Sequence, residues 1–240
     1  NRPSAGAMRG YGIPQAMWAG ESHIDDVARA LGREPMEYRR QIVMPKGYVD
    51  GFSKNENYYD TFREVMDKGM AAIDYERKRK EYENQTGPVR RGIGMALFWY
   101  NTAVWPISLE SSSCRMVLNQ DGSVQVQTGE TEIGQGCDTA FAQMAADAIG
   151  IPFEDVHMVS TQDTDVTPFG TGAYASRQTY IGGFALRQTG GMLKDKILTC
   201  AVELTRQTRA NLDLIDGKIV RISDGRELMT LGELATEVLY

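Results

Sequence analysis

The sequence predicts an α+β fold with mixed sheets and packed helices, and three observations carry that prediction. Helical periodicity dominates roughly the first 90 residues, and two-residue alternation about an Asp-Gly turn comes next. A further helix, a short strand and a long helix then come without the regular alternation of βαβ units. "TGPVRRG" breaks the helical pattern and divides the chain into residues 1–90, a loop followed by helices, and 91–240, the mixed segment. With 240 residues, 42% of them hydrophobic, the chain is long enough to bury one or two cores.

Taken in order, residues 1–15 form a turn-rich loop, in which Gly6, Gly10 and Gly12 relieve backbone sterics and Pro14 stiffens the backbone at its end. A helix over about 15–31 stops at Gly32, and a second starts at Pro35 and ends near Pro45. A long helical run starts at about Tyr58, with Gly69 as its weak point, and its tail "ERKRKEYE" reads as a solvated face. From Arg91 the pattern turns to strand through "GIGMALFWY", with the aromatic cluster "LFWYNTAVW" expected in the core. Met116 to Thr128 reads as a hairpin, and "CDTAFAQMAADAIGI" as a helix capped by Asp138 or Thr139 and closed by Gly150. "EDVHMVS" reads as a short strand with His157 packed inward. A polar loop leads into a helix over about 176–209, "NLDLIDGKIVRISDG" into a surface hairpin with an extended arm, and "LGELATEVLY" into a last helix.

Composition excludes several function classes. A formal net charge of −6 argues against a nucleic-acid binder, which needs a basic face. No apolar run reaches the roughly 18 residues of a membrane span, and no signal peptide is visible. Cys114, Cys137 and Cys200 are too few and too scattered for a disulfide framework, which points to a reducing, cytoplasmic setting. Two histidines, His23 and His157, cannot build a histidine-rich metal site.

Three glycine-rich loops carry the chemistry. In "AMRGYGIPQ", Arg9 offers a fork of donors to an oxyanion or carboxylate, and Tyr11 offers a ring to a flat ligand; a buried hinge with Arg9 paired to an acid is the other reading. In "TGETEIGQGCDT", Gly129, Gly134 and Gly136 let backbone approach a partner, Gln135 adds an amide, and the following helix has free N–H groups that would seat an anion. Glu130 and Glu132 read as structural. In "TPFGTGAYASRQT", Gly170 and Gly172 precede small residues, and Ser176 is placed to cap a helix. The glycine spacing matches neither a P-loop nor a dinucleotide fingerprint, and no nucleophile–base pair is visible.

Together, in this order and separation, the loops resemble those of the molybdenum-cofactor subunit of the xanthine dehydrogenase and aldehyde oxidase family, the molybdenum hydroxylases. The resemblance runs over essentially the whole chain but covers only a part of a family subunit. It implies part of a molybdopterin-binding domain that hydroxylates a carbon of a purine-like N-heterocycle or an aldehyde with oxygen from water. A non-catalytic cofactor-binding or assembly module of the same fold is the alternative. The implied cofactor is molybdopterin with molybdenum, whose cytosine dinucleotide form is common in bacteria. Molybdenum is held by the pterin, so no protein side chain is a metal ligand. Residue by residue, the resemblance places Met8, Arg9, Gly134, Gln135, Tyr174, Ala175 and Ser176 on the cofactor, and Tyr11, Val104 and Trp105 against the substrate. Val104, Trp105 and Tyr174 depart from the purine oxidisers, which implies a different pocket wall. The base glutamate of the family is expected outside this chain, which alone would be inactive. The remainder of the subunit, [2Fe–2S] clusters and FAD are expected on partner domains or subunits.

Overall fold

A computed structural model of the chain describes residues 8–100, 102–104, 110–159 and 163–238. The chain clusters into two compact units, Asn1–Tyr100 and Asn101–Tyr240.

The first unit holds α1 (Ile13–Ala30), α2 (Pro35–Ile42), α3 (Thr61–Ile73) and α4 (Tyr75–Glu81). Pro14 and Pro35 sit in first turns, where a missing N–H costs no helical hydrogen bond. Glu34 caps α2, accepting from the amides of Met36 (2.7 Å) and Glu37 (2.9 Å). Its other oxygen accepts from the Tyr75 hydroxyl at 2.7 Å, tying α2 to α4. The expected long helix does break, but at Asp74, whose φ is 54°, and not at Gly69. Gly69 instead makes room for a neighbour: a Cβ there would lie 2.8 Å from Cε of Met95.

The strand expected over 92–100 forms no ladder. Ile93, Met95 and Leu97 alternate inward onto a small core of Met36, Met66 and Tyr75, so an extended segment lying on helices produces the same alternation. The Leu97 amide donates to Glu21 (2.8 Å) and to no strand. Phe98, Trp99 and Tyr100 are 63%, 51% and 46% exposed, so this part of the expected aromatic core lies at the surface of its unit.

The second unit begins with β1 (Cys114–Leu118) and β2 (Val124–Thr128), the antiparallel hairpin read from the alternation. Then come α5 (Cys137–Ile149) and β3 (Val156–Met158), which pairs parallel with β2. This β2–α5–β3 crossover is a single βαβ unit in a fold without their regular alternation, and β3 is the short strand read in "EDVHMVS". His157 on β3 is exposed, not core, because Val156 takes the inward position.

A π-helical turn over Gln178–Gly182 leads into α6 (Gly183–Thr205), shorter at both ends than expected. A Cβ on Gly190 would meet that of Ala148 at 2.7 Å, so the glycine lets α6 lie against α5. The expected hairpin gains a third strand: β4 (Leu212–Ile215), β5 (Lys218–Arg221) and β6 (Arg226–Thr230) form an antiparallel sheet in that order. A capping box between Thr230 and Glu233 starts α7 (Leu231–Glu237). Val124, Val126, Phe141, Ile149, Leu186 and Leu198 form one core with Leu212, Leu214, Ile219 and Leu234. Among the described residues no helix is long and apolar enough to cross a membrane.

Candidate functional site

The opening loop belongs to the first unit. Gly10, Tyr11 and Gly12 have φ of 96°, 54° and 88°, a left-handed run that glycine makes accessible on either side of the tyrosine. The Tyr11 amide donates to the Met8 carbonyl (2.6 Å) and that of Ile13 to the Gly10 carbonyl (2.9 Å), folding the loop back on itself before α1. Met8 and Tyr11 are 80% and 83% exposed, and Arg9 is exposed too. Arg9 forms no ion pair with a described residue, so the buried-hinge reading does not describe this loop. Residues 1–7, with Gly6, lie outside the described residues.

The other two loops belong to the second unit and interlock there. Gly129 lies against Pro168–Gly170, where a Cβ would come within 2.2 Å of the Gly170 nitrogen. Gln135 accepts from the Ile133 amide (2.7 Å) and donates to the Thr131 carbonyl (3.0 Å) and to the side chain of Gln178. Gln178 donates in turn to the Thr131 carbonyl at 2.9 Å. The second loop is thus bonded to the first turn of the helical segment after the third.

One expectation fails at α5. Its N-cap is Gly136, with φ 85°, not Asp138 or Thr139. The amides expected to await an anion already have one: Glu132 accepts from Gly134 (2.6 Å), Gly136 (3.1 Å) and Asp138 (3.1 Å). Bonds from the amides of Asp138, Gly136 and Gly134 outweigh desolvation and hold the Glu132 carboxyl at about 2. Its stabilising contribution is therefore complete above the ordinary 4.5 and is lost as pH falls toward about 2. Glu132→Gln should flatten the pH dependence of urea unfolding across that window; an unchanged profile would remove the capping role.

Cys137 and Asp138 lie with Glu132, their ligand atoms within 4.8 Å of one another. Burial, then the charges of Glu132 and Asp138, push the Cys137 thiol up to about 12, so it stays protonated and unreactive at neutral pH.

The third loop is left-handed at Gly172 (φ 105°), Ala175 (50°) and Ser176 (54°). Two consecutive residues with a Cβ in this region store strain that the surroundings must hold. Ser176 does not cap a helix; it is exposed, and the π turn starts after Arg177. The Ala103 amide donates to the Ala175 carbonyl at 2.7 Å, and the Val104 amide to Glu110 at 2.7 Å. Trp105 lies outside the described residues.

Beneath the loop lies a group that local sequence patterns did not reveal. Arg177 is fully buried. Its Nε donates to Glu110 (2.6 Å), Nη1 to Glu130 (2.7 Å) and to the Gly172 carbonyl (3.0 Å), and Nη2 to the Ser111 carbonyl (2.5 Å). Its Cζ stands 5.6 Å from the centre of the Tyr174 ring. Glu130 is structural as expected; an arginine inside a run of small residues was the one available signal for its partner.

Residues 68–240 match one molybdopterin cofactor-binding domain family, and residues 1–43 match another. The chain belongs to the molybdopterin cofactor-binding domain family. This molybdopterin-binding chain is 46% identical, over its whole length, to the xanthine dehydrogenase molybdenum-binding subunit of Escherichia coli O157:H7, and covers 32% of it. It is 26% identical over its whole length to the nicotine 6-hydroxylase large subunit of Paenarthrobacter nicotinovorans, and covers 30% of it. In fold it is similar to quinoline 2-oxidoreductase from Pseudomonas putida 86, with a TM-score of 0.72, 23% identity, and coverage of 93% of this chain and 30% of that one. The chain thus spans about a third of the length of these relatives.

The second unit's loops fit a large polar group such as molybdopterin. The hydroxyl oxygens of Ser111, Ser112 and Thr171 are buried without a protein partner. They lie at and next to the Ser112–Gly170 bridge, and Arg177, which follows the turn of Ala175 and Ser176, donates to the Ser111 carbonyl. Orphaned polar atoms in a loop region indicate a ligand or water that completes them.

Proposed function

We propose that this chain is part of the molybdenum-binding subunit of a hydroxylase acting on a purine-like N-heterocycle or an aldehyde, with oxygen from water. The observation that carries the reading is the 46% identity to a xanthine dehydrogenase molybdenum-binding subunit over the full chain. It is supported by the bonded second and third loops, the latter holding the strained small-residue turn of Ala175 and Ser176. Molybdopterin, when bound, supplies the two-electron redox chemistry through its molybdenum.

The chain's own part is placement. Met8 and Arg9 bind the cofactor from the opening loop, Arg9 by donating to its anionic oxygens. Gly134 and Gln135 lie along the pterin side, the Gly134 amide and the Gln135 side chain being bonded within the protein to set that loop, while Tyr174, Ala175 and Ser176 line the molybdenum side with backbone and one hydroxyl. Tyr11, Val104 and Trp105 are assigned to the substrate. The bond from the Val104 amide to Glu110 supports the reading only by fixing the backbone at this position. The cytosine dinucleotide form of the pterin, [2Fe–2S] and FAD partners and a cytoplasmic location complete the proposal, with the rest of the subunit supplying the base.

Arg9→Ala in the complete enzyme tests the reading. Losing a charge-assisted hydrogen bond of about 1.5–3 kcal/mol weakens cofactor binding roughly 10- to 100-fold. Metal analysis and pterin fluorescence should then show lowered occupancy; full occupancy would refute Arg9's role. Trp105→Thr should instead alter relative rates between heterocyclic and aldehyde substrates at unchanged occupancy. An unaltered rate profile would remove that assignment for Trp105.

A further inference from the structure

We infer that Arg177 is a positioning residue: its buried fork holds Ala175 and Ser176 in their left-handed turn and ties that turn to Val104, so cofactor retention depends on the fork's geometry. The inference rests on the proposed reading that this turn faces molybdopterin.

The bonds form a closed circuit. Arg177 follows Ser176 directly and donates through Nε to one oxygen of Glu110. The other oxygen of Glu110 accepts from the Val104 amide, and the neighbouring Ala103 amide donates back to the Ala175 carbonyl. Two further donations, to the Glu130 carboxylate and the Gly172 carbonyl, fix the floor and the near end of the turn. A guanidinium serves these acceptors at once because its donors lie in a rigid plane. A lysine in its place keeps the charge but gathers its three donors on one nitrogen, which cannot span these separated acceptors. A merely structural ion pair would tolerate lysine with only a general loss of stability; a positioning fork would not.

The test compares the complete enzyme carrying Arg177→Lys with wild type and with Leu234→Ala. Leu234 is a buried residue of α7 in the general core, so its truncation lowers the melting temperature without touching the loops. Arg177→Lys should lower molybdenum and pterin content at least fivefold. It should also speed hydrogen exchange at least tenfold in peptides containing Ala103–Val104 and Gly172–Arg177, with α5 and β2 at wild-type rates. Leu234→Ala should keep its cofactor even when its melting temperature falls further. Wild-type content and exchange in Arg177→Lys would overturn the inference, as would equal cofactor loss in Leu234→Ala. Should Arg177→Lys not accumulate, Glu110→Gln cuts the circuit at the Nε bond and should speed exchange in the same two peptides; unchanged exchange there would overturn the inference. A wild-type enzyme free of molybdenum and pterin would sink the hydroxylase reading and the retention claim with it, while the exchange measurement would still decide whether Arg177 holds the turn.

Discussion

Gly129→Ala is expected to destabilise the chain by ~3 kcal/mol or more, read as a lowered urea midpoint, because three backbone atoms occupy the space a Cβ needs. The added carbon would stand 2.2 Å from the Gly170 nitrogen, 2.4 Å from the Phe169 carbonyl carbon and 2.5 Å from the Pro168 oxygen. Backbone cannot swing aside as a side chain can, so the second and third loops must part. Ordinarily a glycine-to-alanine change at a permissive φ gains about 0.4–1 kcal/mol from the unfolded chain, and here the clash outweighs it. Gly134→Ala is the informative control. Nothing lies within 4 Å of its Cβ position, and only its φ of 93° resists substitution. That strain costs about 1–2 kcal/mol. Equal effects of the two variants would show that the loops do not meet at Gly129.

Arg177→Met is expected to cost about 3–5 kcal/mol, because it leaves buried carboxylates without their cation. Glu130 and Glu110 are 0% and 8% exposed at the side chain, so water cannot take the guanidinium's place. The exposed pair of Arg77 and Glu81 supplies the contrast: both side chains are about half exposed or more, and Arg77→Ala should leave the urea midpoint nearly unchanged. Urea unfolding of the two variants should therefore separate clearly. Similar midpoints would mean that the Arg177 cluster is solvated in solution.

Much of the loop geometry was legible because left-handed backbone needs particular residues. Gly10, Gly12, Gly134, Gly136 and Gly172 all have positive φ, and those same glycines mark the three loops in the sequence. What stayed hidden is non-local. Arg177 meets Glu110 and Glu130 across 67 and 47 positions, and nothing local says which acids a buried arginine will find. Glu132 was read as structural without its task, because capping the amides of Gly134, Gly136 and Asp138 requires the loop to turn back on itself. The strand over 92–100 failed for a related reason. Alternation reports that one face is covered, and Ile93, Met95 and Leu97 are covered by helices of their unit.

The sequence by itself determined the helices with their proline starts, the Asp-Gly hairpin, the mixed fold class and the three glycine loops, since each rests on the conformational preferences of neighbouring residues. Only the tertiary structure decided that β3 lies parallel to β2, that Arg226–Thr230 adds a third strand, and that a buried arginine underpins the Ala175–Ser176 turn. These depend on which distant segments share a desolvated space. That is settled by packing and by the cost of leaving buried polar groups unpaired, which no short stretch of chain encodes alone.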